Sequence, residues 1–229
     1  MKILFYIILI FISLIILYGI IPTYVYKIKH KIEKKNITNN GKNIYLTFDD
    51  GPDPKYTLEL LDILKENDIK ASFFVVGEFA KNNPDIIKRM QEEGHKIGLH
   101  WYEHKSALIQ HPLKTKTNFQ KGINTLNNLG VKDPSFRPPW GQFNWVMIYL
   151  MKSYNLKPFL WDVMAEDWQK NTTSEIIKNK LEKRVKNNDI ICLHDGRGRD
   201  DAPKRTIEAL KEILPKWKNE GYIFKTTGE

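Results

Sequence analysis

Asn43-Ile44-Tyr45-Leu46-Thr47-Phe48-Asp49-Asp50-Gly51-Pro52 reads as a β-branched, apolar strand that ends on two adjacent carboxylates and a rigid Gly-Pro turn. Adjacent acids repel, and one keeps its proton unless a positive group intervenes. A divalent metal resolves the conflict. One acid binds it, and the other stays free to handle a proton. An ordinary Asp-Gly-Pro turn is the bland alternative, but such a turn needs only one acid.

Working outward, six further runs read as strands: Ala71–Val76, Lys96–Leu99, Ser135–Arg137, Pro158–Val163, Asp189–Leu193 and Tyr222–Lys225. Helical patterns separate most of them, over Tyr56–Asn67, Asp85–Glu93, Leu113–Leu129, Trp145–Ser153, Ser174–Lys186 and Lys204–Lys216. Pro84 and Gly94 bracket the second of these as start and stop signals. Strands alternating with helices imply parallel βαβ units, and seven units suit a closed or nearly closed β/α barrel. In such folds active residues gather at the C-terminal ends of strands. Asp49 and Asp50, His100, Asp167, and His194-Asp195 all fall there.

His100-Trp101-Tyr102-Glu103-His104 places two imidazoles four residues apart, a chelating spacing if the segment is helical. It lacks the zincin arrangement, in which glutamate follows the first histidine. His30, His95 and His111 have no such partner and read as structural or exposed. Arg137-Pro138-Pro139-Trp140-Gly141 is stiffened by two prolines. Its arginine suits bidentate orientation of a carboxylate. Near Leu193-His194-Asp195, an acid such as Asp167 in Asp167-Trp168 would raise an imidazole pKa and fix its tautomer. Cys192, the one cysteine, lies in an apolar run and reads as a small buried hydrophobe.

The 229 residues allow one large domain or two small ones, and 41% hydrophobic content supports a sizeable core. The net charge of +9 is uneven, because residues 1–35 carry six lysines against one acid. The remainder is too mildly basic for a nucleic-acid footprint, and no recognition motif for one is present. From Ile3 to Ile21 no residue is charged, a run of roughly 29 Å as a helix, long enough to cross a hydrocarbon core. The absence of alanine before Ala71 and of a small-residue cleavage site favours an uncleaved anchor over a signal peptide. The expected organisation is a transmembrane anchor over 1–23, a juxtamembrane stalk over 24–41 and one catalytic domain over 42–229, with no linker after residue 42. The positive-inside rule alone would put that domain in the cytoplasm.

Together the five motifs, spanning residues 47–195, resemble those of the carbohydrate esterase family 4 polysaccharide deacetylases, the NodB-homology domain. The resemblance implies a distorted (β/α)7 barrel that removes N-acetyl groups from glycans. By matched motif, Asp50, His100 and His104 would bind the metal, with zinc expected and cobalt or another divalent ion as alternatives. Asp49 would be the general base and His194 the general acid. Arg137 would position Asp49, and Asp167 would tune His194. Trp140 would supply an oxyanion N–H, while Trp168 and Leu193 would line the pocket for the acetyl methyl. The expected partners are an N-acetylated glycan, peptidoglycan above all, and the membrane, through the N-terminal helix; the chain is expected to be a monomer. Because such polymers lie outside the plasma membrane, the resemblance favours a single-pass protein with an extracytoplasmic barrel, against the charge rule. An O-acetyl glycan esterase and a non-catalytic carbohydrate binder are the alternatives. Two positions depart from the family pattern: Trp101 stands where serine or threonine is usual, and Met164 where an additional aspartate is frequent.

Overall fold

The computed structural model describes residues 1–37 and 41–228. The chain runs α1 (Lys2–Ile15), a π-helical turn (Ile16–Ile20), α2 (Ile21–Lys35), β1 (Asn43–Asp49), α3 (Thr57–Glu66), β2 (Ser72–Val75), α4 (Gly77–Asn82) and α5 (Pro84–Glu92). It continues through β3 (Lys96–Leu99), α6 (Pro112–Asn128), β4 (Ser135–Phe136), a 3-10 turn (Pro139–Gly141), α7 (Trp145–Ser153) and β5 (Val163–Met164). The last elements are α8 (Ser174–Arg184), β6 (Asp189–His194), α9 (Ala202–Asn219) and β7 (Ile223–Lys225).

All strand pairs are parallel, in the order β4-β3-β2-β1-β6-β5, with β7 added against the start of β1. This is the distorted β/α barrel that the sequence implied. On the central strand Ile44, Leu46 and Phe48 share one face and are fully buried in the hydrophobic core, while Tyr45, Thr47 and Asp49 take the other face. Between β4 and β5 the ladder is interrupted. The seam is bridged by an isolated pairing of Phe136 with Pro158 and by the Phe159 N–H donating to the Phe136 carbonyl at 2.8 Å.

Two expectations change here. The run Pro158–Val163 is not a continuous strand; regular pairing begins only at Val163, because the two prolines after Arg137 break the neighbouring strand early. The short helix α4 had no apolar stripe to announce it, and the structure inserts it straight after β2.

The first 35 residues hold the largest departure. Lys2–Lys35 forms a 34-residue helical rod. Its first half projects from the domain, but the segment read as a stalk is helical to Lys35 and packs against the barrel. Thr23 Oγ1 donates to the Phe143 carbonyl at 3.1 Å and accepts from the Phe143 N–H at 2.8 Å. Tyr26 stacks on Phe143 with ring centroids 4.4 Å apart. Further along, His30 Nε2 lies 3.0 Å from Asp162 Oδ1, and Lys34 Nζ lies 3.2 Å from Asp162 Oδ2 and 2.9 Å from Asp189 Oδ1. Burial alone would raise the Asp162 pKa, but His30, the Ile190 N–H and Lys34 outweigh it and lower it. The last part of the expected stalk, residues 38–40, lies outside the described residues.

Thr23→Val removes both bonds to Phe143 and leaves a buried N–H and C=O unpaired, at a cost of about 1–3 kcal/mol. Trypsin should therefore cut the full-length variant in detergent within Lys27–Lys35 roughly ten times faster than the unsubstituted chain.

Candidate active site

β1 delivers Asp49 and Asp50 to the barrel's catalytic end. A Cβ on Gly51 would sit 2.1 Å from Asp195 Oδ2, so only glycine lets the turn close over that carboxylate. Asp195 itself accepts from Thr57 Oγ1 at 2.7 Å beneath the turn.

The side chain of Arg137 at the end of β4 is fully buried. Its Nη1 donates to Asp49 Oδ1 and to Thr47 Oγ1, both at 2.7 Å, and its Nε donates to the Phe159 carbonyl at 2.8 Å. The guanidinium stacks 4.0 Å above the Phe74 ring. Asp49 is thereby locked through one oxygen. Its other oxygen, Oδ2, accepts weakly from Cys192 Sγ at 3.4 Å.

Asp50 Oδ1 lies 2.9 Å from His104 Nε2 and 3.4 Å from His100 Nε2. These two histidines do not share a helix. His100 closes β3, and the chain reaches His104 through a loop with left-handed backbone at Trp101 (φ 69°) and His104 (φ 39°). His100 Nδ1 lies 2.8 Å from the Arg137 carbonyl, which can only accept. Nδ1 therefore carries the proton, and the Nε2 lone pair is free to ligate. Burial lowers the His100 pKa, which keeps the ring neutral. Burial would raise the Asp50 pKa, but His104, His100 and His194 outweigh it and hold it at about 2. One carboxylate and two imidazoles are the donor set of a catalytic divalent-metal site, and these three residues fit it.

A second trio, Asp49, Cys192 and His194, also clusters within 4.8 Å. It is the poorer host. Asp49 is already bonded to Arg137, and Asp167 occupies one ring nitrogen of His194. Burial and the Asp49 carboxylate push the Cys192 pKa well above its ordinary value, against the thiolate a metal needs.

His194 ends β6, in register with Asp49. Asp167 Oδ1 lies 2.9 Å from His194 Nδ1, and Asp167 Oδ2 accepts from the His194 N–H and from Thr206 Oγ1, both at 2.9 Å. Burial would depress the His194 pKa, but the Asp167 contact, with Asp50 and Asp49 behind it, raises it to about 9. The ring stays protonated at neutral pH, with Nε2 left for a substrate.

Asp49, Asp50, His100, His104 and His194 line a cavity of about 560 Å³ at the strand ends. The Trp140 ring packs edge-on against His104 at 4.4 Å, and Trp168 packs edge-on against His194 at 5.2 Å. Leu193 departs from expectation. It is fully buried in the hydrophobic core, while Cys192 and Met164 face the cavity. Alternation on β6 decides this: if His194 points inward, so does the residue two before it. The sequence reading therefore missed Cys192 as a lining residue although the alternation rule could have found it. It also missed Trp161, Arg197 and Arg199 at the rim, for which no pattern gave warning. The other histidines are structural: His95 accepts from the Ala71 N–H, His111 caps α6 and His30 pairs with Asp162.

Comparison with known proteins agrees with this geometry. The polysaccharide deacetylase family profile matches residues 36–159. A peptidoglycan-N-acetylglucosamine deacetylase of Bacillus cereus is 38% identical over 196 residues, covering 84% of this chain and 90% of that one. A chitooligosaccharide deacetylase of Azorhizobium caulinodans is 30% identical, covering 82% of this chain and 94% of that one. The crystal structure of the peptidoglycan deacetylase PdaC from Bacillus subtilis superposes with a TM-score of 0.74 at 29% identity, covering 83% of this chain and 90% of that one. The chain belongs to the polysaccharide deacetylase family. It is, accordingly, a polysaccharide N-deacetylase.

Trp101, where the family usually has a hydroxyl, is fully buried between Phe119 and Phe136, at ring-centroid distances of 5.8 and 6.0 Å. Here it is a core residue. Trp101→Ser should cost about 3–5 kcal/mol in urea unfolding monitored on the chain in detergent.

Proposed function

We propose that the protein removes N-acetyl groups from N-acetylglucosamine residues of peptidoglycan and releases acetate, using a divalent ion held by Asp50, His100 and His104. The reading rests on one observation: a three-donor metal-type site sits beside two groups fixed by opposite partners, Asp49 by the Arg137 guanidinium and His194 by the Asp167 carboxylate. The names of the relatives support the glycan. The two-imidazole, one-carboxylate donor set favours zinc, with cobalt as the alternative.

When bound, the ion supplies Lewis acidity towards the amide carbonyl and the attacking water. Asp49 takes the proton of that water through Oδ2, while Arg137 holds Oδ1 and fixes the plane of the carboxylate. The Trp140 N–H donates to the developing oxyanion, a contact worth roughly 3 kcal/mol. His194 Nε2 delivers its proton to the departing nitrogen, which would otherwise leave as an amide anion. Asp167 keeps that proton in place until then. Trp168, Cys192 and Met164 bound the space for the acetyl methyl.

The projecting apolar half of Lys2–Lys35 serves as a single-pass anchor, and the barrel faces the cell wall. The docked C-terminal half supports retention of the helix in the mature protein. It also weakens the positive-inside argument, because Lys34 is neutralised by the domain's own Asp162 and Asp189. Proteolysis of intact protoplasts tests the orientation: external protease should degrade the barrel.

Asp49→Asn should cut acetate release from peptidoglycan about 10²–10⁴-fold while zinc stays bound, measured by metal analysis of the purified chain. A chelator should abolish release by the unsubstituted chain, and zinc or cobalt should restore it. Full activity of the variant would sink the base assignment.

The raised pKa of His194 makes a second expectation. An acid with a pKa of about 9 keeps its proton across neutral pH and loses it only on the alkaline side. Asp167→Asn withdraws the charge that raises this pKa. The alkaline limb of the kcat profile should then move down by at least about one pH unit.

A further inference from the structure

The uncharged run of the helix on its free side, bounded by Lys2, is shorter than the hydrocarbon core of a bilayer. Contact with the barrel begins at Leu17, whose carbonyl accepts from Trp145 Nε1 at 2.8 Å. Two residues on, a Cβ at Gly19 would lie 2.9 Å from Leu108 Cα, so the helix touches the loop backbone there. The free uncharged part, Ile3–Ile16, is about 21 Å long, against about 30 Å of hydrocarbon. The missing length, roughly six residues, is Leu17–Pro22. Whatever touches those residues must share their depth.

What touches them carries an exposed apolar patch. Ile109 is 74% exposed, Leu113 69%, Trp145 50% and Tyr149 69%. The segments that carry them adjoin, because Asn144 Nδ2 donates to the Ala107 carbonyl at 2.9 Å and to Thr115 Oγ1 at 3.3 Å, joining the loop after β3 to the starts of α6 and α7. Trp145 and Tyr149 lie one turn apart on α7, the spacing of a shared face. Tryptophan and tyrosine favour the level of the lipid headgroups. Patches of this kind on a domain mark an interaction surface.

Resting on the anchor reading above, we infer that Ile109, Leu113, Trp145 and Tyr149 seat the domain in the headgroup–acyl boundary of the bilayer, completing the span that the helix begins. The occupant of the patch is lipid. The same seating aims the active site. Along the rod, contacts pass from Gly19 at the loop after β3, to Thr23 at Phe143 beyond β4, to Lys34 at Asp189, the first residue of β6. The strands' C-terminal ends, where the cavity opens, therefore lie on the membrane side. The glycan this enzyme reaches is the material next to the bilayer, not the outer wall.

The test uses the full-length chain reconstituted in phosphatidylethanolamine–phosphatidylglycerol vesicles. Single cysteines at Ile8→Cys, Ile109→Cys, Leu113→Cys and Glu220→Cys carry an environment-sensitive fluorophore, with the unsubstituted chain as the blank for buried Cys192. Replacing part of the lipid with acyl-brominated lipid should quench the probes at 8, 109 and 113 at least twofold more than the probe at 220. Glu220 is exposed, and its carbonyl bonds Lys42 just before β1, far from the strands' C-terminal ends. If the probe at 8 is quenched while those at 109 and 113 behave like 220, the helix inserts but the patch does not, and this inference falls alone. If the probe at 8 is not quenched, the anchor reading falls and takes the inference with it.

Discussion

The site depends on a buried arginine. Removing a guanidinium from water is expensive unless its donors are matched by well-placed acceptors. Arg137 meets that condition with Asp49, Thr47 and the Phe159 carbonyl, and with the face of Phe74 beneath it. Those partners sit on β1, on β2 and on the segment that bridges the interrupted seam between β4 and β5. Thr47 in turn donates to the Ile191 carbonyl of β6. The arginine's own carbonyl bonds His100 on β3. One side chain and its backbone thus tie together the interrupted seam, the proposed base Asp49 and the proposed metal ligand His100. Loss of the Arg137–Asp49 pair would strand two charges in the core, and the same guanidinium bonds the seam segment, so the geometry of the site and the closure of the barrel are linked.

Around that constraint, four buried aspartates are told apart by their neighbours alone. Asp49 faces a permanent cation, Asp50 faces two imidazoles, and Asp167 faces one imidazole, a backbone N–H and a hydroxyl. Among the described residues, Asp195 has a threonine alone, Thr57, bonding its side chain. Burial, reinforced by the charges of Asp50 and Asp49, pushes the Asp195 pKa up to about 7. It is the one member of the group with no work facing the cavity, and it supports the Gly51 turn from below. In the proposed reading the same residue type becomes base, ligand, tuner and brace because the fold meets each with a different partner.

Most of this was readable from sequence wherever a single strand end determined the answer. Asp49, Asp50, His100 and His194 each follow directly from a strand and arrive at the cavity, and Arg137 arrives behind Asp49. Harder features depended on what lies across space. Leu193 was assigned to the pocket by its place in a motif, whereas side-chain alternation gives that position to Cys192. The two histidines were allowed a helix because their spacing fits one, but a left-handed bend at Trp101 brings them together instead. The run from Pro158 to Val163 has strand composition, yet its partner strand ends early at a double proline. Nothing in a lysine-rich amphipathic segment says whether its charges meet water or another part of the chain, so the docking of α2 was invisible.

Trp101 shows how one local rule can be broken while the two histidines around it, the proposed ligands, keep their places. A non-glycine residue with positive φ is unfavourable, and a bulky one more so. A small hydroxyl residue would answer that strain with a hydrogen bond; the indole answers it with burial against Phe119 and Phe136. Holding the loop from beneath leaves His100 bonded to the Arg137 carbonyl and His104 packed on Trp140, both independent of any hydroxyl at position 101. The ligand geometry is therefore set by the strand end on one side and the tryptophan wall on the other. The residue between them is free to become part of the core.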